Sequence, residues 1–378
     1  MSRREKPIPE LPAPKYAQLA HQLEDTIRNG AWPDGRIPPV REIAQNNGVS
    51  AFTVSRALQL LREKGLLQTR ERSGSFLIDS VQSKERWAVV LRVSPTSWAG
   101  ASAAVVQSGL ERVALAESVE FVPLRFDANA SGEAEARRLV HAILSSKLGG
   151  VLFLPSRLNE ELQRQDEAFL RWCRKESIPV VLLDRNLRGA ERPLEYDLVG
   201  SDHFEGGRCC TRHLLSLGRQ RIACVVASPV NTHLERTAGY LLALAETERT
   251  RGTTYPSLVV QVPLEPGGRE AYAWLADQLA DFAADGVICY QDYTAVGLIV
   301  ELLRRGIRVP QDVAVVGCDD LPIGNTFSLG VTTYAYPSEA IVRRALSVMR
   351  DRIRYPDEPP VRVMLPGRLI VRQSTQPG

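Results

Sequence analysis

The chain has 378 residues, 44% hydrophobic and 24% charged, the make-up of an ordinary soluble globular protein with room for two or three domains. Its net charge is only +3, but residues 1–86 carry 14 Lys/Arg against 10 Asp/Glu while the rest carry 33 against 34, so the basic excess sits in a small N-terminal part, as a phosphate-facing surface needs. Six cysteines without zinc spacing or a secreted framework, no signal-like apolar start and no membrane-length run exclude secreted, membrane and zinc-finger classes; a cytoplasmic protein with buried free thiols and no metal or cofactor is expected.

Residues 1–14 are proline-rich and charged without periodicity and read as a flexible arm. Tyr16, Leu19, Ala20, Leu23 and Ile27 fall on one face at helical spacing, which predicts a helix over 15–29 stopped by Gly30. Pro38-Pro39 suits the start of a second helix, because proline's missing N–H costs nothing in a first turn. Val40, Ile43 and Ala44 share its face, and Asn47-Gly48 ends it. Ser50 caps a third helix with the buried stripe Val54, Ala57, Leu58 and Leu61. Strands at 67–70 and 75–78 around a turn at 71–74 complete a winged helix-turn-helix over 15–78. Its third helix turns Phe52, Arg56, Gln59 and Glu63 outward. Arg and Gln reach base edges in a major groove; Arg41 falls in the preceding helix, and Arg70 and Arg72 flank the wing tip, where they can grip phosphate. Double-stranded DNA is the expected partner.

Tyr16-Ala-Gln-Leu, Gly30-Ala-Trp-Pro-Asp-Gly35, Pro38-Pro-Val-Arg-Glu-Ile-Ala44, Thr53-Val-Ser-Arg-Ala-Leu58 and Ser73-Gly-Ser-Phe76 resemble the DNA-binding head of GntR-type regulators. The resemblance implies DNA contacts at Arg41, Ser50, Thr53 and Gly74. Positions 51 and 55, usually arginine in that family, are Ala51 and Ser55, so the operator sequence does not carry over.

Residues 79–86 are polar and read as a linker. From Trp87 short apolar runs alternate with amphipathic segments. Strands are expected at 87–93, 121–124, 151–154 and 180–183, then at 198–200, 222–226, 258–262, 287–290 and 313–317. Such alternation means parallel sheets with helices on both faces, and two successive runs suggest two similar lobes. The expected lobes are about 87–187 with 319–335, and about 188–318 with 336–378. A ligand would sit where strand C-termini face each other across the crevice. Candidate groups there are Trp98, Asp184, Asn231, Arg236 and Asp292: a carboxylate and an arginine can bracket vicinal hydroxyls while an indole covers an apolar ring face. Taken singly, Asp184 and Asp202 also read as helix caps, Trp98 as packing and Arg236 as a surface pair.

Pro179-Val-Val-Leu-Leu-Asp-Arg185, Val199-Gly-Ser-Asp-His-Phe-Glu-Gly-Gly207, Arg236-Thr-Ala-Gly-Tyr240, Asp292-Tyr-Thr-Ala-Val-Gly297 and Leu365-Pro-Gly-Arg-Leu-Ile370 resemble the effector domain of LacI/GalR regulators over nearly all of 87–374. The resemblance implies a two-lobed fold shared with periplasmic sugar-binding proteins, and effector contacts at Arg236 and Asp292, with Asp184 and Trp98 as further candidates. A GntR-type head replaces the usual LacI-type one, as in arabinose-responsive repressors. His203 stands where relatives often have asparagine, and Tyr336 where glutamine is common; both bear on which ligand fits.

The reading is a ligand-responsive repressor that binds its operator as a homodimer and responds to a small sugar-like effector; a purine or other metabolite is the alternative effector. A transport receptor would leave 14–78 without a role. An aminotransferase domain is disfavoured because only Lys147 and Lys175 follow residue 86 and neither sits in a plausible cofactor site, and the chain has no nucleophile elbow or paired-carboxylate motif.

Overall fold

The computed structural model describes residues 14–28, 32, 36–70, 74–77, 85–91, 101–117, 119–126, 132–156, 159–187, 193–227, 230–262 and 268–376. The chain divides into two compact units, Met1–Glu85 and Arg86–Gly378.

In the first unit, helices α1 (Lys15–Arg28), α2 (Val40–Asn47) and α3 (Ala51–Glu63) precede a hairpin of β1 (Leu67–Arg70) and β2 (Gly74–Leu77). Pro39 is the N-cap of α2 rather than part of its first turn. Gly48 ends α2 at φ 61°, a left-handed conformation that glycine adopts without a Cβ penalty, and this sets the sharp corner into α3. The Ser50 hydroxyl accepts from the Thr53 N–H at 3.1 Å and starts α3. Leu19, Leu23 and Ile27 of α1 close over Val54, Ala57, Leu58 and Leu61. The hairpin runs antiparallel, with Gln68 opposite Phe76, and Arg36 bridges to Phe76 as a short third strand that the sequence pattern does not announce.

The strand β3 (Glu85–Leu91) leads into the second unit; it starts inside the expected linker and ends two residues before the expected strand end. Then follow α4 (Ala101–Ala116), β4 (Val119–Leu124), α5 (Gly132–Ser145), β5 (Val151–Leu154), α6 (Glu160–Lys175), β6 (Val180–Leu183), β7 (Asp197–Ser201), α7 (His203–Ser216), β8 (Ile222–Val226) and α8 (Asn231–Arg251). The remainder is β9 (Leu258–Gln261), α9 (Arg269–Asp281), β10 (Gly286–Cys289), α10 (Asp292–Arg304), β11 (Ala314–Cys318), α11 (Pro322–Thr326), β12 (Thr332–Ala335), α12 (Ser338–Arg354), β13 (Arg362–Leu365) and β14 (Arg368–Ile370). Two six-stranded sheets result, ordered β13-β7-β6-β5-β3-β4 and β14-β12-β11-β10-β8-β9. β14 runs antiparallel to β12 at the edge of the second. Apolar side chains pack on both faces of each: Trp87 and Val89 face one core and Ala88 and Val90 the other, as period-two alternation requires of a buried strand.

This topology corrects the expected lobe boundaries. β7 pairs with β6 and so belongs to the first lobe, not to the start of the second. Residues 332–335 extend the second sheet beside β11. α12 buries Ile341, Val342, Ala345 and Leu346 in the first lobe's core, and β13 adds to the first sheet. The C-terminal strands are short and partly exposed, so their partners cannot be read from local periodicity. The chain crosses between lobes three times, at 201–203, 335–338 and 365–368.

Candidate functional site

On the head, Phe52 is 76% exposed and Arg41, Arg56 and Gln59 are exposed, as the outward face of α2 and α3 requires. Two of these side chains are already engaged locally. Arg56 lies 5.5 Å over the Tyr16 ring of α1, and the Gln59 amide donates to Glu63 at 3.0 Å. Thr53 shares a hydroxyl contact of 2.8 Å with Ser50. Gly74 opens β2, and Arg72 lies outside the described residues.

In the second unit, the C-terminal ends of β6 and β10 and the first interlobe crossing meet in a buried polar chain. Asp184, at the end of β6, has φ 66°, a left-handed conformation uncommon for a side chain other than glycine. Its Oδ2 accepts from the Arg185 Nε and Nη2 at 3.3 and 3.1 Å, and its Oδ1 lies 3.1 Å from His203 Nε2. Arg236 of α8 places Nη2 3.0 Å from His203 Nδ1 and donates Nη1 to the Tyr290 carbonyl at 2.8 Å. Asp184, His203 and Arg236 are 4, 5 and 3% exposed, so the chain is shielded from water throughout. Burial works against the Asp184 charge, but the His203 ring and the Arg185 guanidinium outweigh it and hold the carboxyl well below the usual carboxylate range.

Close helix packing aims these groups. Gly207 of α7 and Gly239 of α8 let the two backbones touch: a Cβ at Gly239 would stand 2.0 Å from the Phe204 carbonyl oxygen. Asp202 is the cap of α7, accepting from the Glu205 N–H at 2.8 Å, one of the two cap readings its sequence allowed. Tyr336 sits on the second crossing with its hydroxyl buried beside Asp184, and burial, then that carboxylate, push the phenol well above its ordinary value. Asn231, at the start of α8, accepts from the Asn186 N–H of the first lobe at 3.1 Å and donates to Glu235 at 3.2 Å.

Asp292 stands apart from this chain. Its Oδ2 accepts from the Leu321 N–H at 2.6 Å, and its Oδ1 fills the space that a Cβ at Gly317 would need. Asp292 and Arg236 therefore share a lobe without a direct bond; the guanidinium reaches the carbonyl of Tyr290 instead. Burial pushes the Asp292 carboxyl well above its ordinary value against the opposing Thr333 hydroxyl and Leu321 N–H. A carboxyl raised in the folded state stabilises fully below the unfolded value, and that contribution is lost as pH rises through the folded value. Asp292→Asn is expected to match the wild type below about pH 4 and to melt at a higher temperature near neutral pH. Melting curves across pH check this; equal melting temperatures near neutrality would mean that burial does not raise the Asp292 carboxyl.

Trp98 lies outside the described residues. His203 and Arg185 complete the buried chain, and neither carries a periodicity signal that separates it from a packing residue. A groove of about 630 Å³ lies on the opposite, N-terminal edge of the first sheet, beside Ile178, Tyr196 and Pro356. Its arginines are already paired, Arg174 with Glu195 and Arg352 with Asp197. Five of the six cysteines are buried, and burial alone pushes the Cys173 thiol up to about 12. Among the described residues no cluster of His, Cys, Asp or Glu could hold a metal, and no helix is long and apolar enough to cross a membrane.

The fold is that of a winged helix-turn-helix unit joined to a two-lobed α/β unit with parallel sheets. Residues 15–77 match the family of bacterial regulatory proteins called gntR, and residues 211–375 match a periplasmic binding protein-like domain. The N-terminal unit is thus similar to GntR-type heads, and part of the second unit to periplasmic-binding-protein-like domains, with the fold seen in LacI-family regulators. It is 28% identical over 238 residues to the HTH-type transcriptional repressor PurR of Vibrio atlanticus (strain LGP32), covering 61% of this chain and 65% of that one. It is 24% identical over 340 residues to the arabinose metabolism transcriptional repressor of Halalkalibacterium halodurans, covering 85% of each. The structure of the transcriptional regulator CelR in complex with cellobiose superposes with a TM-score of 0.62 at 24% identity, over 89% of this chain and all of that one. These relatives are transcriptional regulators rather than enzymes.

Proposed function

We propose that the chain is a DNA-binding transcriptional repressor whose second unit takes a small, sugar-like effector. The observation that carries this reading is the pairing of a GntR-type head with a LacI-type two-lobed unit. The exposed face of α3 offers Phe52, Arg56 and Gln59 to a major groove, with Arg41, Ser50, Thr53, Arg72 and Gly74 as the further expected DNA contacts. For base contact, Arg56 leaves Tyr16 and Gln59 leaves Glu63, both exposed and weakly held. Asp184, Asn231, Arg236, Asp292 and Tyr336, with Trp98, form the expected effector set. Neutral hydroxyls suit it, because such a ligand can both donate to and accept from groups of this kind. Two heads in a homodimer match a near-palindromic operator, and the protein acts in the cytoplasm.

The test has two arms. A thermal-shift screen of the full chain against D-ribose, L-arabinose, cellobiose and adenine detects the effector, since a ligand at about 100 times its Kd stabilises by about 2.7 kcal/mol. A gel shift on a selected near-palindromic site, with and without that ligand, reads the switch. Arg56→Ala is expected to weaken binding to that site by about 1–3 kcal/mol and to random DNA much less. Equal loss on both would reassign Arg56 to phosphate. A response to adenine and to no sugar would replace the effector class.

A further inference from the structure

The chain of groups from Asp184 to Tyr290 spans the first crossing between the lobes. A guanidinium carries donors only. Arg236 Nη2, 3.0 Å from His203 Nδ1, must therefore donate, and Nδ1 must accept. The ring proton is left on Nε2, facing the Asp184 Oδ1 at 3.1 Å. One imidazole thus accepts from the second lobe and donates to the first, each nitrogen in the only role its neighbour permits. The anchors at both ends are fixed. Arg185 holds the other Asp184 oxygen, and the Tyr290 carbonyl holds the Arg236 Nη1. Arg236 Nε is buried with no partner, so the guanidinium is turned by its two terminal nitrogens and its Nε–H is left unspent.

We propose that His203 is a positioning residue that couples the two lobes: it sets the plane of the Arg236 guanidinium from the Asp184 carboxylate across the 201–203 crossing. This rests on the effector reading only for its consequence, which is that His203 governs ligand affinity without having to touch the ligand. The coupling itself is independent of any ligand. A side chain with one acceptor and one donor at comparable reach restores the relay, and an apolar one of similar size cannot. Glutamine offers an amide oxygen to Arg236 and an N–H to Asp184; leucine offers neither.

The experiment compares the full chain as wild type, His203→Gln and His203→Leu by amide hydrogen exchange. In His203→Leu, exchange is expected to rise about tenfold in both 184–187 of the first lobe and 231–240 of the second, with β5 unchanged. His203→Gln is expected to stay near wild type in both segments. Loosening of one segment alone, or a glutamine variant as loose as the leucine one, overturns the proposal. Nitrogen NMR of histidine-labelled wild type tests it without any variant: His203 must show a bare Nδ1 and a protonated Nε2, and any other form of the ring overturns it. Calorimetry with D-ribose, L-arabinose, cellobiose and adenine forms the separate arm. If a probe binds the wild type, the leucine variant is expected to weaken it at least about tenfold, and unchanged affinity overturns the positioning role. If none of the four binds while both exchange segments loosen together, the coupling stands and the effector reading fails for those ligands.

Discussion

Arg236→Ala is expected to abolish response to the effector while leaving operator affinity of the ligand-free protein almost unchanged. The guanidinium donates to the Tyr290 carbonyl and to His203 Nδ1, both buried. Its loss orphans two acceptors at about 1–3 kcal/mol each, offset in part because a buried charge no longer has to be desolvated. A net loss of a few kcal/mol leaves a large α/β unit folded at room temperature but visibly less stable. Charged hydrogen bonds to ligand hydroxyls contribute about 1.5–3 kcal/mol each, so affinity falls at least about tenfold for one lost bond and far more for two. The head is a separate compact unit and keeps its own core. A ligand moves a two-state equilibrium only through its differential affinity for the states, so on the proposed function a variant without that contact stays on its operator. Calorimetry and gel shift on wild type and variant read the two halves. A folded variant that still releases operator at the wild-type ligand concentration would make Arg236 a structural residue only.

Gly239→Ala is expected to destabilise the second unit by about 2 kcal/mol or more, although alanine is the better helix former by about 0.5–1 kcal/mol. The new Cβ would meet the Phe204 carbonyl oxygen at 2.0 Å and the Arg208 nitrogen at 2.9 Å, and backbone cannot swing aside as a side-chain tip does. Reciprocally, a Cβ at Gly207 would stand 2.1 Å from the Arg236 carbonyl oxygen, so α7 and α8 must part at the point that carries both His203 and Arg236. Steric cost exceeds propensity here, and ligand affinity should fall with stability. Urea unfolding measures the first and calorimetry the second. A variant as stable as the wild type would mean that the helices do not pack through these glycines.

Much of the architecture is legible in the amino-acid sequence. The stripe Val54, Ala57, Leu58 and Leu61 is the buried face of α3, and Ser50 is its cap, because helical spacing and capping chemistry are local. Strands at 151–154, 180–183 and 222–226 fall where apolar runs bounded by polar turns place them. The resemblance carried Asp184 and Arg236 into one neighbourhood, but it implied nothing about how they join.

What the sequence by itself determined is therefore the kind of element at most stretches before residue 318, the two units and a set of candidate polar residues near strand ends. Only the tertiary structure decided which lobe each late element joins, since strand partners lie far apart in the chain and short edge strands such as β13 and β14 have no distinctive pattern. It also decided that Arg236 reaches His203 and the Tyr290 carbonyl rather than Asp292. Those contacts depend on two helices touching through Gly207 and Gly239, and on a chain that crosses between the lobes at His203. Hydrogen bonds of about 3 Å between residues 19 to 54 positions apart follow from packing geometry, which no local pattern of residues encodes.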